Sequence, residues 1–190
     1  MNYLVQPNAG KLESFRPYLN LVARLHLGQR LRGKLDVADV VQDTLATACA
    51  SLDQFRGEDD AQLAAWLETI LAHCLSHVFR YYAQQARDVR RERSLDDKRA
   101  VEDSSARIEA WLAADQSSVG KKLTRKEQAV RLAAALEQLP AAQREAVVLR
   151  HLEGLSLAEV GRHLGRNPVA VAGLLQRGLK KLRALLEEAD

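Results

Sequence analysis

Cysteine is rare in this chain: Cys49 and Cys74 are the only two among 190 residues. They have no paired spacing and sit in stretches of helical pattern, so no disulfide framework is expected, only reduced and partly buried thiols. Aromatic residues make up just 5%, while Ala, Leu, Arg and Glu dominate, a balance that favours helix over strand. No apolar run approaches the roughly 18–20 residues that cross a bilayer, so no membrane segment is expected. The opening residues, Met1 to Lys11, lack a basic segment followed by an apolar core, which argues against a secretion signal and for a cytoplasmic protein. Also missing are a Gly-rich phosphate loop, a nucleophile–base pair and a carboxylate pair in catalytic context. No enzymatic centre and no cofactor are therefore expected. His73 and His77 share a helix face at i and i+4, but the zinc-protease Glu is lacking and no third ligand lies near, so no metal is expected either.

What is present is ordinary in amount and uneven in placement. The chain is 47% hydrophobic and 28% charged, with a net charge of +3. Between Asp36 and Asp60 stand Asp36, Asp39, Asp43, Asp53, Glu58, Asp59 and Asp60 against a single base, Arg56. Between Arg80 and Arg93 the sign reverses: Arg80, Arg87, Arg90, Arg91 and Arg93 outnumber Asp88 and Glu92. An acidic face followed by a basic one implies two different partners, one of them a polyanion. Either cluster alone also fits a plain solvated helix face.

The periodicity predicts an all-α protein of two small domains with a connector between them, over 1–96, 97–124 and 125–190. In the first domain, a helix from about Leu12 to Leu31 buries Leu19, Val22, Ala23 and Leu27. Asp36 reads as the N-cap of a second helix, whose apolar face runs Val37, Val40, Val41, Leu45, Ala48 and Leu52. A loop around Gly57 precedes a long helix with Leu63, Trp66, Leu67, Ile70, Leu71, Cys74, Val78 and Tyr82 on its apolar side. From Asp97 to Thr124 the pattern weakens into Ser, Gly and Asp, as a flexible connector would, although Ile108, Trp111 and Leu112 match a short amphipathic helix.

The second domain reads as helices over Lys126 to Leu139, Pro140 to Leu152, Ser156 to Leu164 and Pro168 to Glu188. Pro140 suits a first helical position. Ser156 with Glu159 forms a capping box, Gly165 is a left-handed stop, and Asn167 followed by Pro168 starts the last helix. That helix is expected to bury Val171, Leu174, Leu175, Gly178, Leu182 and Leu185. A short capped helix, a Gly-containing turn and a longer helix make a helix-turn-helix. In such a unit the second helix enters the major groove, here with Arg166, Asn167, Val169, Ala170, Ala172, Gly173, Gln176 and Arg177 outward and Lys180 and Lys181 trailing. Helical hairpins of this pattern also occur in plain bundles.

The pieces "LEQLP", "QREAVVLRHLEGLSLAEVGRHLG" and "RGLKKLRALL" resemble region 4 of small RNA polymerase sigma factors of the extracytoplasmic-function group, in the sigma-70 family. Upstream, "DVADVVQDTLATACASLDQFRG" resembles region 2.2, and "AWLETILAHCLSHVFRYY" the promoter-melting segment that follows. Both modules stand in the family's order and spacing and cover most of the chain. The resemblance implies a non-catalytic subunit that binds core RNA polymerase and recognises and melts promoter DNA. It implies that Asp36, Asp39, Gln42 and Asp43 dock on the clamp coiled coil of the largest subunit, and that region 4 meets the flap. It implies that Phe55, Arg56, His73, Arg80, Arg87, Arg90 and Arg91 face the −10 region; single strands favour aromatic platforms beside cations, which Phe55, Arg56, Tyr81 and Tyr82 can supply. Arg166, Asn167, Val169, Ala170, Gln176, Arg177 and Lys180 are then expected at the −35 region. With no sensory domain in view, control by an anti-sigma factor is expected. The sequence departs from the family where His73 stands for a common Asn, Ala170 for a usual Thr, and Ala172 and Gly173 for Lys and Ser. The rival reading is a helix-turn-helix regulator that never joins polymerase.

Overall fold

The computed structural model describes residues 7–31, 36–85, 101–104, 106–111 and 124–188. No β-strand occurs among them. The chain divides into two compact units, Met1–Ala106 and Arg107–Asp190.

In the first unit, α1 (Pro7–Ser14) and α2 (Arg16–Leu31) replace the single helix expected from Leu12 to Leu31. The cause is Pro17, which has no N–H for the carbonyl four residues back and whose ring crowds it. Phe15 absorbs the break: its N–H donates to the Leu12 carbonyl at 3.1 Å and its carbonyl accepts from Leu19 at 3.0 Å. Helix α3 (Val37–Ala50) starts where the Asp36 carboxylate accepts from the Ala38 N–H at 2.9 Å. A 3-10 turn, Leu52–Gln54, leads into the Gly57 loop, and α4 (Asp60–Gln85) follows. Asp59 caps α4 by accepting from the Gln62 N–H at 2.7 Å, while the Gln62 amide oxygen accepts from the Glu58 N–H at 3.1 Å. This reciprocal pair fastens the loop to the helix it begins.

Helices α2, α3 and α4 pack around Phe15, Tyr18, Leu19, Val22, Val41, Leu67, Leu71 and Leu75, all with at most 1% exposure. Each buried side chain of this size contributes about 1.5–3 kcal/mol. Polar groups share this core and find partners inside it. The Thr44 hydroxyl donates to the Val40 carbonyl at 2.8 Å, and the Tyr18 hydroxyl donates to the Glu68 carboxylate. Val101 and Ser104, beyond α4, are also buried.

The second unit opens with helical residues up to Trp111. Ile108 is fully buried, and the Trp111 ring lies 6.0 Å from that of His151. Glu109 pairs with Lys126 at 3.2 Å. Helix α5 (Arg125–Glu137) begins in a capping box of Thr124 with Glu127. Helix α6 (Ala141–Val147) continues into a widened π turn, Val148–Leu152, where an unbroken helix from Pro140 was expected. Pro140 is the N-cap, at ψ 139°, rather than the first helical residue. Helix α7 (Leu157–Leu164) and helix α8 (Pro168–Glu188) complete the unit. On α8 the stripe Val171, Leu175, Gly178, Leu182 and Leu186 is buried, whereas Leu174 and Leu185 are half-buried. The α8 stripe thus curls one residue further than the sequence reading placed it, because it meets α5 and α6 as well as α7.

Candidate functional surfaces

Three surfaces carry the residues singled out in the sequence. The first is the outer face of α3. Val40, Val41, Thr44, Leu45 and Ala48 point into the core, so Asp39, Gln42 and Asp43 are left exposed together on the far side. Their i, i+3, i+4 spacing stacks them on one face. Asp36 is exposed at the same end, with its carboxylate already engaged as the helix cap. Gln42 has a fixed orientation: Arg16 donates to its amide oxygen at 2.8 Å and also forks onto Glu13, at 3.1 Å through Nη2. The Arg16 guanidinium, by hydrogen bond first and charge second, holds the Glu13 carboxyl below its usual range. Arg16 joins this surface although 26 positions separate it from Gln42, and no local sequence signal marks it.

The second surface is the loop before α4 and the exposed line of that helix. The Phe55 ring is half-buried, 5.4 Å from the Trp66 ring and tilted by 42°. It also lies over Gly57, where an added Cβ would collide with the ring. The Arg56 guanidinium turns back to donate to the Asp53 carbonyl and, at 3.3 Å, to that of Phe55. Phe55 and Arg56 therefore brace the loop in this state. His73 and Arg80 are exposed on α4, with Thr69 and His77 in the same line. Arg87, Arg90 and Arg91 lie outside the described residues, as do the side chains of Tyr81 and Tyr82. Among the described residues no three His, Cys, Asp or Glu side chains converge as a metal ion would require.

The third surface is built by α7, its turn and α8. The Ser156 hydroxyl accepts from the Glu159 N–H at 3.3 Å, and the Glu159 carboxylate accepts from the Ser156 N–H at 2.8 Å and its hydroxyl at 2.7 Å. These bonds, with a smaller contribution from the Arg162 charge, lower the Glu159 pKa. Gly165 stops α7 at φ +61°, and the Gly161 carbonyl accepts from the Arg166 N–H at 2.9 Å. A Cβ at Gly161 would fall 2.6 Å from the Arg166 carbonyl oxygen, so only glycine lets the turn lie this close to the helix. Asn167 caps α8 by accepting from the Ala170 N–H at 2.8 Å. Gly178 permits a similar approach of α6, with Val147 Cγ2 at 3.1 Å from a Cβ built there.

The turn and caps leave Arg166, Asn167, Val169, Gln176, Arg177 and Lys180 exposed, with Ala170 half-buried. The Arg177 guanidinium folds back along the helix, its Nη1 3.3 Å from where a Cβ of Gly173 would stand. The gap left by Gly173 is thus covered by a cation from the next turn. All seven residues expected at the upstream element lie on the turn after α7 and on α8. The capping box of Thr124 and Glu127, which fixes where α5 starts, was readable as T-x-x-E but was not singled out.

Known proteins match both units. The family described as sigma-70 region 2 matches residues 13–88, and sigma-70 region 4 matches residues 129–182. RNA polymerase sigma factor CnrH of Cupriavidus metallidurans is 31% identical over 90% of this chain and 87% of its own. RNA polymerase sigma factor CarQ of Myxococcus xanthus is 32% identical over 86% of this chain and 82% of its own. The solved structure of the sigma factor RpoE in complex with the anti-sigma factor NepR from Bartonella quintana aligns over 94% of this chain and 95% of that one. Its identity is 22% and its TM-score 0.34.

Proposed function

Because this chain belongs to the extracytoplasmic-function group of the sigma-70 family of RNA polymerase sigma factors, we propose a division of labour between its two units. As a sigma factor it directs transcription initiation rather than catalysing a reaction of its own. The first unit docks on core polymerase through α3. Asp39 and Asp43 meet basic residues of the clamp coiled coil in the largest subunit, with Gln42 held ready by Arg16 and Asp36 completing the surface. Opposite charges across such a face raise the rate of encounter and fix the register.

The same unit holds the melted −10 strand against the loop at Phe55 and Arg56 and the α4 line of His73 and Arg80. Arg87, Arg90 and Arg91 add phosphate contacts beyond it. Extracting a base from the stack costs a few kcal/mol, which binding must return. For Phe55 and Arg56 to take part, the ring must leave Trp66 and the guanidinium must leave the loop carbonyls. The second unit places α8 in the major groove of the −35 element and rests against the polymerase flap. The protein acts in the cytoplasm, and an anti-sigma factor restrains it.

The observation that carries this reading is the pairing, in one chain, of an acidic exposed α3 face with a capped helix-turn-helix, in the order of regions 2 and 4. A regulator that never joins polymerase has no use for the first of these. The deciding experiment is run-off transcription from a pool of genomic fragments with purified core polymerase. Transcripts that start at defined sites only when this chain is added support the reading. Co-purification with core polymerase separates the two ideas independently, since the regulator would stay behind.

A further inference from the structure

The recognition helix presents carbon where a hydrogen-bonding group would be expected. Among the described residues, the exposed large hydrophobics are Leu157, at 38%, and Val169, at 82%. Both lie in the first turns of the two helices of the helix-turn-helix. A single exposed valine is unremarkable on any surface. The setting of Val169 is less ordinary. Its i+3, i+4 and i+7 positions are Ala172, Gly173 and Gln176, so the middle of the outward face runs valine, alanine, glycine, then an amide. Asn167 spends its side chain on the Ala170 N–H, so it offers no amide oxygen to the strip, and the Arg177 guanidinium lies beside Gly173. Arg166 in the turn and Arg177, Lys180 and Lys181 on the same helix are exposed as well. Exposed carbon at Val169 and Ala172 with cations close by complements the floor of a DNA major groove between its phosphate walls.

We propose that Val169, with Ala172 beside it, reads the C5-methyl groups of thymine in the upstream element, and that Gln176 reads an adenine about 10 Å further along the helix. This rests on the assignment of α8 to the −35 element and says which base pairs it selects there. The physical basis is the major-groove code. Thymine alone among the four bases offers a methyl group, and adenine alone offers an N7 acceptor beside an N6 donor, which suits a bidentate amide. Covering one methyl with a valine side chain is worth about a fourfold preference. The upstream element is then A·T-rich at the positions under the first turns of α8, and its recognition there depends on methyl groups rather than on hydrogen bonds.

The test uses holoenzyme assembled from this full chain and core polymerase. Duplexes are selected from a random pool, and the enriched upstream element is remade with deoxyuridine in place of one thymine at a time. Uracil keeps every hydrogen-bonding group of thymine and loses only the methyl. Binding is expected to fall about fourfold at one or two positions and to stay level elsewhere. In Val169→Asn holoenzyme, where an exposed position is changed and helicity is checked by circular dichroism, that sensitivity should vanish while the salt dependence of binding remains. Deoxyuridine tolerated at every position overturns the methyl reading and leaves α8 as a DNA-binding helix. Sensitivity that persists in Val169→Asn overturns the role of this residue. If no upstream element is enriched at all, the −35 assignment falls and takes this inference with it.

Discussion

Helices α3 and α8 solve the same geometric problem with opposite chemistry. Each buries one stripe and offers the other to a partner. On α3 the offered stripe is Asp39, Gln42 and Asp43, and its middle member is already clamped by Arg16 at 2.8 Å. On α8 it is Val169, Gln176, Arg177 and Lys180, a strip of carbon and amide bordered by long cationic arms. Under the proposed assignment, the contrast follows from what each face would meet. A protein surface has one shape, so groups fixed in advance lose little entropy on binding. A DNA duplex presents a regular lattice of phosphates with variable groups between them, so mobile cations and a small apolar centre serve better. The sign of charge selects the partner class.

The largest effect should come from reversing the acidic face. Asp39→Lys with Asp43→Lys should weaken association with core polymerase by about 2–5 kcal/mol while helicity is unchanged. An unaltered titration against immobilised core would dissolve the contrast between the two helices, since α3 would then be a plain solvated face. Next comes Gly161→Val. Its Cβ would meet the backbone carbonyl of Arg166 within the turn, so the second unit should lose about 1–3 kcal/mol in denaturant unfolding. Asp39→Lys, by contrast, should leave that unfolding curve where it was.

A smaller effect, about 1 kcal/mol, is expected for Ser156→Ala, which removes the cap of α7. Its pH dependence sharpens the point. The Glu159 carboxyl is lowered by its bonds to Ser156, so the native state favours its ionised form. That contribution is fully present above the ordinary carboxylate range and fades as pH falls through the lowered value. The stability gap between the native chain and Ser156→Ala should therefore narrow in acid, and a gap that is constant down to strongly acidic pH would speak against the capping box. The smallest effect belongs to Arg177→Ala. Upstream binding should weaken about equally for all sequences, with the salt slope falling by about one unit. A change confined to one base pair would make Arg177 a reader rather than a positioner.

Much of the fold was legible because its signals are local. Ser156 with Glu159, Gly165 and Asn167 with Pro168 are each complete within a few residues, and each appears with the expected bonds. The break between α1 and α2 was equally local, and Pro17 announced it; the apolar stripe on both sides hid it. The π turn at Val148–Leu152 had no comparable sign. There the chain buries Ala146, Val147, Val148 and Leu149 in succession, a pattern that a regular helix serves poorly and a widened turn serves well. The α3 face could be drawn from spacing alone, but Arg16 could not be added to it. A hydrogen bond across 26 positions is decided by tertiary packing. Phe55 and Arg56 illustrate the same limit, since residue type identifies a platform and a cation without saying that both are folded back onto the loop.

The ring of Trp111 beside His151 gives the molecule an optical property. The chain has two tryptophans, and each unit holds one: Trp66 against Phe55 in the first, Trp111 against His151 in the second. Their emission can be separated by replacing either with Phe. Trp66 then signals when Phe55 lifts from the α4 loop, and Trp111 when the segment before α5 leaves the π turn. Rearrangement of either unit, on unfolding or on binding promoter DNA, can therefore be followed separately by fluorescence, without attaching a dye.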